Sequence, residues 1–280
     1  MSPPAQAPTN NLTGAGAGTD EPFRVFVGYD SREDIAYRVC RRSLLRRSSI
    51  PLEIIPIVQD ELRSAGLYWR ERGPTESTEF SFTRFLTPHL AGYRGWALFI
   101  DCDFLFVADV AELARMCAAA NPRHAVLCVH HDYAPKEATK MDGAVQTLYP
   151  RKNWSSMVLF NCGHPKNRAA LTPDEVSTRS GAHLHRFAWL DDDEVGEVPF
   201  VWNFLVGHNR VDPDDVAGTT PRAIHYTSGG PWFERYKDCE FADLWIQERD
   251  AYESEEKQAE EVNKPMAAAP VPSPAVSVDA

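Results

Sequence analysis

No uninterrupted apolar stretch in this chain approaches the roughly 20 residues that a bilayer-spanning helix needs, so no transmembrane segment is expected. The opening residues, MSPPAQAPTNNLTGAGAGTD, carry neither a basic start nor an apolar run. A secretory signal is therefore not expected; the cytoplasm is, with peripheral membrane contact left open. The six cysteines form no Cys-x-x-Cys pair and four sit in apolar runs, so buried thiols in a reducing compartment are expected ahead of a zinc site or a disulfide framework. Basic charge is scarce: 29 Lys and Arg stand against 40 Asp and Glu, a net charge of -11. A nucleic-acid binder would need a concentrated basic surface against that field, so nucleic acid is not expected as a partner. Neither an internal repeat nor a Gly/Ser-rich linker interrupts the interior.

What is present is an ordinary globular composition, 43% apolar and 25% charged over 280 residues, enough to bury a core without staples. Residues 1–22 are expected as a disordered leader, 23–253 as one domain, and 254–280 as an acidic, then Pro/Ala-rich, disordered tail. Arg38, Arg41, Arg42, Arg46 and Arg47 punctuate one segment without an intervening acid. They form either a patch for anionic or lipid-linked ligands or a helix face balanced by acidic neighbours. Residues 248–261 carry seven acids against two bases and are expected as a frayed helix end.

FRVFVGYD (Phe23–Asp30) is an apolar run ended by a turn residue, a buried strand. Ser31 stands three residues before Asp34, the spacing of a capping box, and Ile35, Ala36, Val39, Cys40 and Leu44 then mark one helical face. Leu52–Val58 predicts a second strand, its Pro56 suited to an edge. A helix around residues 80–90 precedes the strand Trp96–Ile100. Later strands are expected at Ala125–His130, Ser156–Asn161, Val198–Leu205 and Arg222–Tyr226. Helices are expected from Pro173 and from about Phe241. Strands alternating with helices predict an α/β fold, a mixed, mostly parallel sheet flanked by helices in a single domain. Ligands bind such sheets beyond the carboxyl ends of the strands. Asp30 stands at one such end, and Asp101 and Asp103 at another.

Asp101-Cys102-Asp103 is flanked by apolar residues on both sides, and two carboxylates placed there are costly unless a cation compensates them. Residues i and i+2 of a strand share a side, so both oxygens can meet one ion. Mg²⁺ and Mn²⁺ favour such ligands and fill their remaining positions with water and phosphate oxygens. Two solvated aspartates in a turn are the alternative. His225 follows another strand, and its imidazole suits Mn²⁺ as readily as it suits a core hydrogen bond. Gly229 and Gly230 would let backbone approach a phosphate closely.

Seven segments follow in order: VFVGYD (Val25–Asp30), Thr83-Arg84-Phe85-Leu86, Asp101-Cys102-Asp103, NWSSMVLFN (Asn153–Asn161), Leu190-Asp191-Asp192-Asp193, PFVWNF (Pro199–Phe204) and HYTSGGPW (His225–Trp232). In that order they resemble the retaining GT-A glycosyltransferases of the glycogenin and lipopolysaccharide galactosyltransferase type, glycosyltransferase family 8. The resemblance covers roughly residues 23–250. It implies a Rossmann-like GT-A fold and metal-dependent transfer of a hexose from a nucleotide-diphosphate sugar, with a UDP-sugar as donor. The acceptor would be a carbohydrate, lipid-linked or protein group, in surface polysaccharide or lipopolysaccharide synthesis. It further implies that Asp101, Asp103 and His225 hold Mn²⁺ or Mg²⁺ against the two donor phosphates. Gly28, Tyr29 and Asp30 would hold base and ribose, Arg84 would meet phosphate or sugar hydroxyls, and Gly229 and Gly230 would lie at the diphosphate. Asn153, Ser155, Asp191 and Asp192 would bond the sugar hydroxyls, with Asn153, Asp191 and Asp192 forming the catalytic set. Asp193 fits the same acidic position, and Trp202 and Asn203 would line the acceptor side. Retention would proceed by front-face attack.

Two departures stand out. Gly230 replaces the family's lysine before Pro-Trp, leaving Arg222, Arg235 or Lys237 as the substitute cation. N-W-S-S replaces F-N-x-G. Two rivals accompany this reading: a haloacid dehalogenase-like Mg²⁺-dependent phosphatase with Asp101 as nucleophile, and a catalytically inactive nucleotide-sugar-binding homologue.

Overall fold

The computed structural model describes residues 21–73, 76–132, 139–140, 144–145, 151 and 153–262. The chain opens with β1 (Phe23–Gly28), α1 (Asp34–Arg47), β2 (Leu52–Ile57) and α2 (Gln59–Ser64). A 3-10 turn over Thr83–Leu86 leads into α3 (Thr87–Leu90), β3 (Trp96–Ile100), β4 (Phe104–Phe106), α4 (Ala111–Ala118) and β5 (Val126–Cys128). A two-residue pair, β6 (Thr139–Lys140) and β7 (Ala144–Val145), precedes β8 (Met157–Asn161). Then come α5 (Pro165–Ala170), α6 (Pro173–Thr178), α7 (Gly181–His185), β9 (Val195–Glu197) and β10 (Phe204–Leu205). The described chain ends with α8 (Val216–Thr219), β11 (Ala223–His225) and α9 (Ala242–Val262).

The main sheet has the order β2-β1-β3-β8-β5-β9. All its neighbours are parallel except β8, which runs against both β3 and β5. Helices flank it, as the alternating pattern predicts for an α/β domain. Ala97–Ile100 of β3 are fully buried, because a central strand covered on both faces needs a continuous apolar run. β2 is the edge, where Pro56, having no N–H to give, is tolerated. A second sheet, β10-β11-β4, stands beside it.

Two local expectations are corrected. Asp30, not Ser31, caps the start of the first helical segment: its carboxylate accepts from Arg32 N–H (3.0 Å), while Ser31 Oγ is bonded to Glu79 (2.7 Å). Val198–Leu205 is not one strand but a 3-10 turn (Phe200–Asn203) followed by the two-residue β10, which pairs with β11. The acidic stretch expected as a solvated helix end belongs to α9, which runs through Val262 with its last turns exposed.

That stretch also explains the arginines of α1. Arg42 is buried and bonded to the buried Glu248 and to Glu255 of α9 (2.7 Å to the latter). Arg38 reaches Asp34 (2.5 Å) and Tyr252 Oη (2.8 Å). The face is balanced by acids, as one of the two sequence readings holds.

Candidate functional site

Asp101-Cys102-Asp103 links β3 of the main sheet to β4 of the second sheet, and it is a turn rather than strand. The two carboxylates therefore do not converge by strand alternation. Backbone bonds pin the link at both ends: Asp101 N–H donates to Ser156 O (2.9 Å), and Tyr226 N–H donates to Asp103 O (3.0 Å). Cys102 is buried between them, while both aspartates are half-buried.

His225 ends β11, the strand antiparallel to β4, and pairs in register with Phe104. Its ring thereby comes next to Asp103, with Nε2 3.3 Å from Oδ2. One ligand atom from each of Asp101, Asp103 and His225 lies within 4.8 Å of the others. His225 is 1% exposed, and its Nε2 has no hydrogen-bond partner among the described residues. Two carboxylates and an imidazole with a bare, buried nitrogen form a donor set that suits a divalent ion.

Arg84 is buried rather than at the surface. Its Nη1 lies 2.7 Å from Asp101 Oδ1 and donates to Ser155 O (2.8 Å). The rings of Phe80 and Phe99 flank its guanidinium at 5.3 and 5.1 Å. A planar cation between two rings and a carboxylate is held rigidly, so one negative charge of the pair is already compensated. Ser155 Oγ bonds His185 Nδ1 (2.8 Å). Asn153, at φ 64°, occupies the left-handed region that Asn tolerates better than most residues, and its Nδ2 donates to Thr227 Oγ1 (3.3 Å) just beyond His225. Asp101, Asp103, His225, Arg84, Ser155 and Asn153 thus form one neighbourhood.

The expected base and ribose residues are differently occupied. Asp30 is fully buried and accepts from the Arg32 guanidinium (2.8 and 3.0 Å) and from Glu79 N–H (3.1 Å). Burial opposes its charge, and those donors outweigh it, holding the carboxyl below the usual carboxylate range. Tyr29 donates to Asp34 (2.9 Å) and meets Tyr37 edge-on. A Cβ at Gly28 would run into the Phe80 ring, and one at Gly229 (φ 121°) into Tyr236. Trp232 fills the corresponding space at Gly230. In this conformation aromatic packing uses the room that these glycines leave.

Asp191 caps a 3-10 turn in a capping box with Glu194 and pairs with Lys166 (2.8 Å). Asp192 is 95% exposed at its side chain and pairs with Arg151, whose guanidinium stacks on Trp154; Asp193 pairs with Arg123. Trp202 is buried in the core beneath Arg222, and Asn203 is buried beside His225. Of the substitute cations, Arg222 pairs with Glu112, Lys237 pairs with Glu234, and Arg235 lies over the Tyr236 ring that Gly229 faces.

Two groups at the site carry no motif. Glu33 is buried, and burial, then the charges of Asp103 and Asp30, push its carboxyl up to about 8. His131 lies near His225, and burial, then that neighbouring imidazole, push it down to about 3. A polar residue directly after an apolar strand was the available signal for His131, shared by many loop residues.

No protein-family model matches the chain. Among solved structures, the chain resembles the WbbM bifunctional glycosyltransferase, with a TM-score of 0.56 and 15% identity over 84% of this chain and 51% of that one. GlyE of Streptococcus pneumoniae TIGR4 gives 0.50 and 13% over 85% and 64%. The galactosyltransferase LgtC, solved with donor and acceptor sugar analogues, gives 0.50 and 11% over 82% and 96%. The chain spans about half the length of WbbM and under two thirds of GlyE. Identities this low establish the GT-A glycosyltransferase fold and nothing finer. In sequence the chain matches Protein CDI of Arabidopsis thaliana at 63% identity over 243 residues, 87% of this chain and 92% of that protein. A relative this similar over this much of both chains makes the protein a member of the Protein CDI family.

Proposed function

We propose that this protein is a metal-dependent glycosyltransferase of the family 8 type, moving a hexose from a nucleotide-diphosphate sugar, a UDP-sugar in the first instance, to a carbohydrate, lipid-linked or protein acceptor with retention at the anomeric carbon. One observation carries the reading: two carboxylates and a bare imidazole nitrogen, from two well-separated segments, converge within 4.8 Å at the junction of the two sheets of a GT-A fold.

Asp101, Asp103 and His225 would hold Mn²⁺ or Mg²⁺, which supplies Lewis-acid neutralisation of charge on a leaving diphosphate. Arg84 fixes the Asp101 carboxylate in place and offsets half the charge of the pair. Asn153 and Ser155 border this cleft and would orient the donor sugar through its hydroxyls. Asp191 and Asp192 would join them from the turn before β9, and Arg222, Arg235 or Lys237 would supply the cation missing at Gly230. Tyr29 and Gly28 would bound the base from the end of β1. The GT-A fold and the pairing of Asp101 with the buried Arg84 favour transfer over a phosphatase with Asp101 as nucleophile.

The test is a panel of UDP-, GDP- and ADP-sugars, scored by thermal shift with and without Mn²⁺ and by sugar transfer or release. A ligand that binds only the native state raises its melting point. A shift for one nucleotide sugar that needs Mn²⁺ and disappears in Asp103→Ala is the expected result. Mn²⁺-independent binding, or phosphate release from p-nitrophenyl phosphate without any nucleotide sugar, would overturn it.

A further inference from the structure

We propose that Asn203 is a positioning residue that sets the tautomer of His225, keeping Nε2 bare toward Asp103. The proton inventory of four neighbouring groups leads there. Ser156 Oγ lies 2.7 Å from the Asn153 carbonyl, which can only accept, so the hydroxyl hydrogen is committed to that bond. The same Oγ lies 2.9 Å from Asn203 Nδ2 and therefore accepts from the amide. That orients the Asn203 side chain, leaving its carbonyl Oδ1 2.8 Å from His225 Nδ1. A carbonyl has no hydrogen to give, so Nδ1 carries the proton and Nε2 presents a lone pair.

The ring has little freedom to escape this arrangement. Phe104 stacks on it at 4.4 Å with 19° between planes, and Asn203 is fully buried. Asn203 thus does for His225 what an outer hydrogen-bond partner does for a metal-ligating imidazole. The chain of bonds continues to Asn153, whose Nδ2 returns to Thr227 two residues past His225. The loop before β8 and the end of β11 are therefore fastened through one polar circuit. The consequence for metal affinity rests on the function proposed above; the tautomer does not.

Two measurements on the full chain test this. In metal-free protein, long-range ¹H–¹⁵N spectra, assigned by comparison with His225→Gln, should show His225 protonated at Nδ1. Mn²⁺ titration followed by electron paramagnetic resonance should show Asn203→Leu weakened by about 10–100-fold, with Asn203→Asp, which still accepts from Nδ1–H, within about threefold of wild type. His225 protonated at Nε2 in the wild type would overturn the assignment. So would a folded Asn203→Leu variant with wild-type Mn²⁺ affinity, since a purely structural Asn203 would lower stability alone. If Asn203→Leu does not fold, the wild-type tautomer and the Asn203→Asp titration decide. A wild-type chain that binds no divalent ion sinks the metal reading, while the spectrum still judges Asn203.

Discussion

Phe104 and His225 pair across an antiparallel ladder, and their rings stack 4.4 Å apart. That pairing, rather than any local motif, puts His225 next to Asp103, since Asp103 is the residue before Phe104. A change in the β4–β11 register by one residue would turn His225 to the opposite face.

The two aspartates should behave differently when removed. Asp101→Ala strands the buried Arg84 guanidinium, and breaking a buried pair costs on the order of 3–5 kcal/mol. Asp103→Ala removes a like charge from beside Glu33, so its loss of metal-free stability should be the smaller of the two. Both variants should abolish the divalent-cation shift. Urea melts in EDTA measure the difference, and equal losses would contradict the Arg84–Asp101 pairing.

Glu33 gives a pH signature with a definite sign. Its folded pKa, about 8, lies above the ordinary value of 4.5, so its stabilising contribution is complete below 4.5 and lost as pH rises toward 8. Glu33→Gln cannot ionise and removes that decline. In EDTA the two melting curves should coincide near the low end of this window, with Glu33→Gln melting higher at pH 8. A wild-type protein that tracks the variant throughout would show that Glu33 titrates normally.

Arg42 should be the fastening point of α9 on α1. Arg42→Ala leaves the buried Glu248 with only the more distant Arg47 (4.0 Å), a loss of up to about 3–5 kcal/mol, whereas Arg42→Met with Glu248→Leu should recover most of it. Chemical denaturation of single and double variants provides the check. If the double variant is no better than the single, burial of charge is not the cause.

Gly28→Ala should destabilise through packing. The added methyl enters the Phe80 ring, and overpacking of this kind costs about 1–3 kcal/mol. Phe80→Leu in the same chain should return part of the loss in thermal melts. An unaltered melting point in Gly28→Ala would show that Phe80 can move aside.

Much of the fold is legible in hydrophobic patterning. The run Trp96–Ile100 is satisfied by burial on both faces, and Pro56 suits an edge, so a central and an outer strand follow from residue chemistry. Val198–Leu205 misleads for the same reason that it is apolar: burial alone does not distinguish a strand from a buried 3-10 turn. The helix start misleads because Asp30 and Ser31 are both competent caps, and Glu79, distant in sequence, engages Ser31.

The amino-acid sequence by itself determines that Asp101 and Asp103 require compensation, because two carboxylates inside an apolar run are costly wherever the chain takes them. The identity of the compensating groups belongs to the tertiary structure. Arg84 reaches Asp101 from a turn before α3, His225 arrives through strand pairing, and Asn203 sets that imidazole from a turn buried beneath β11. Hydrophobic periodicity is a local property that adjacent residues express, whereas contact between distant side chains depends on register and on how two sheets meet.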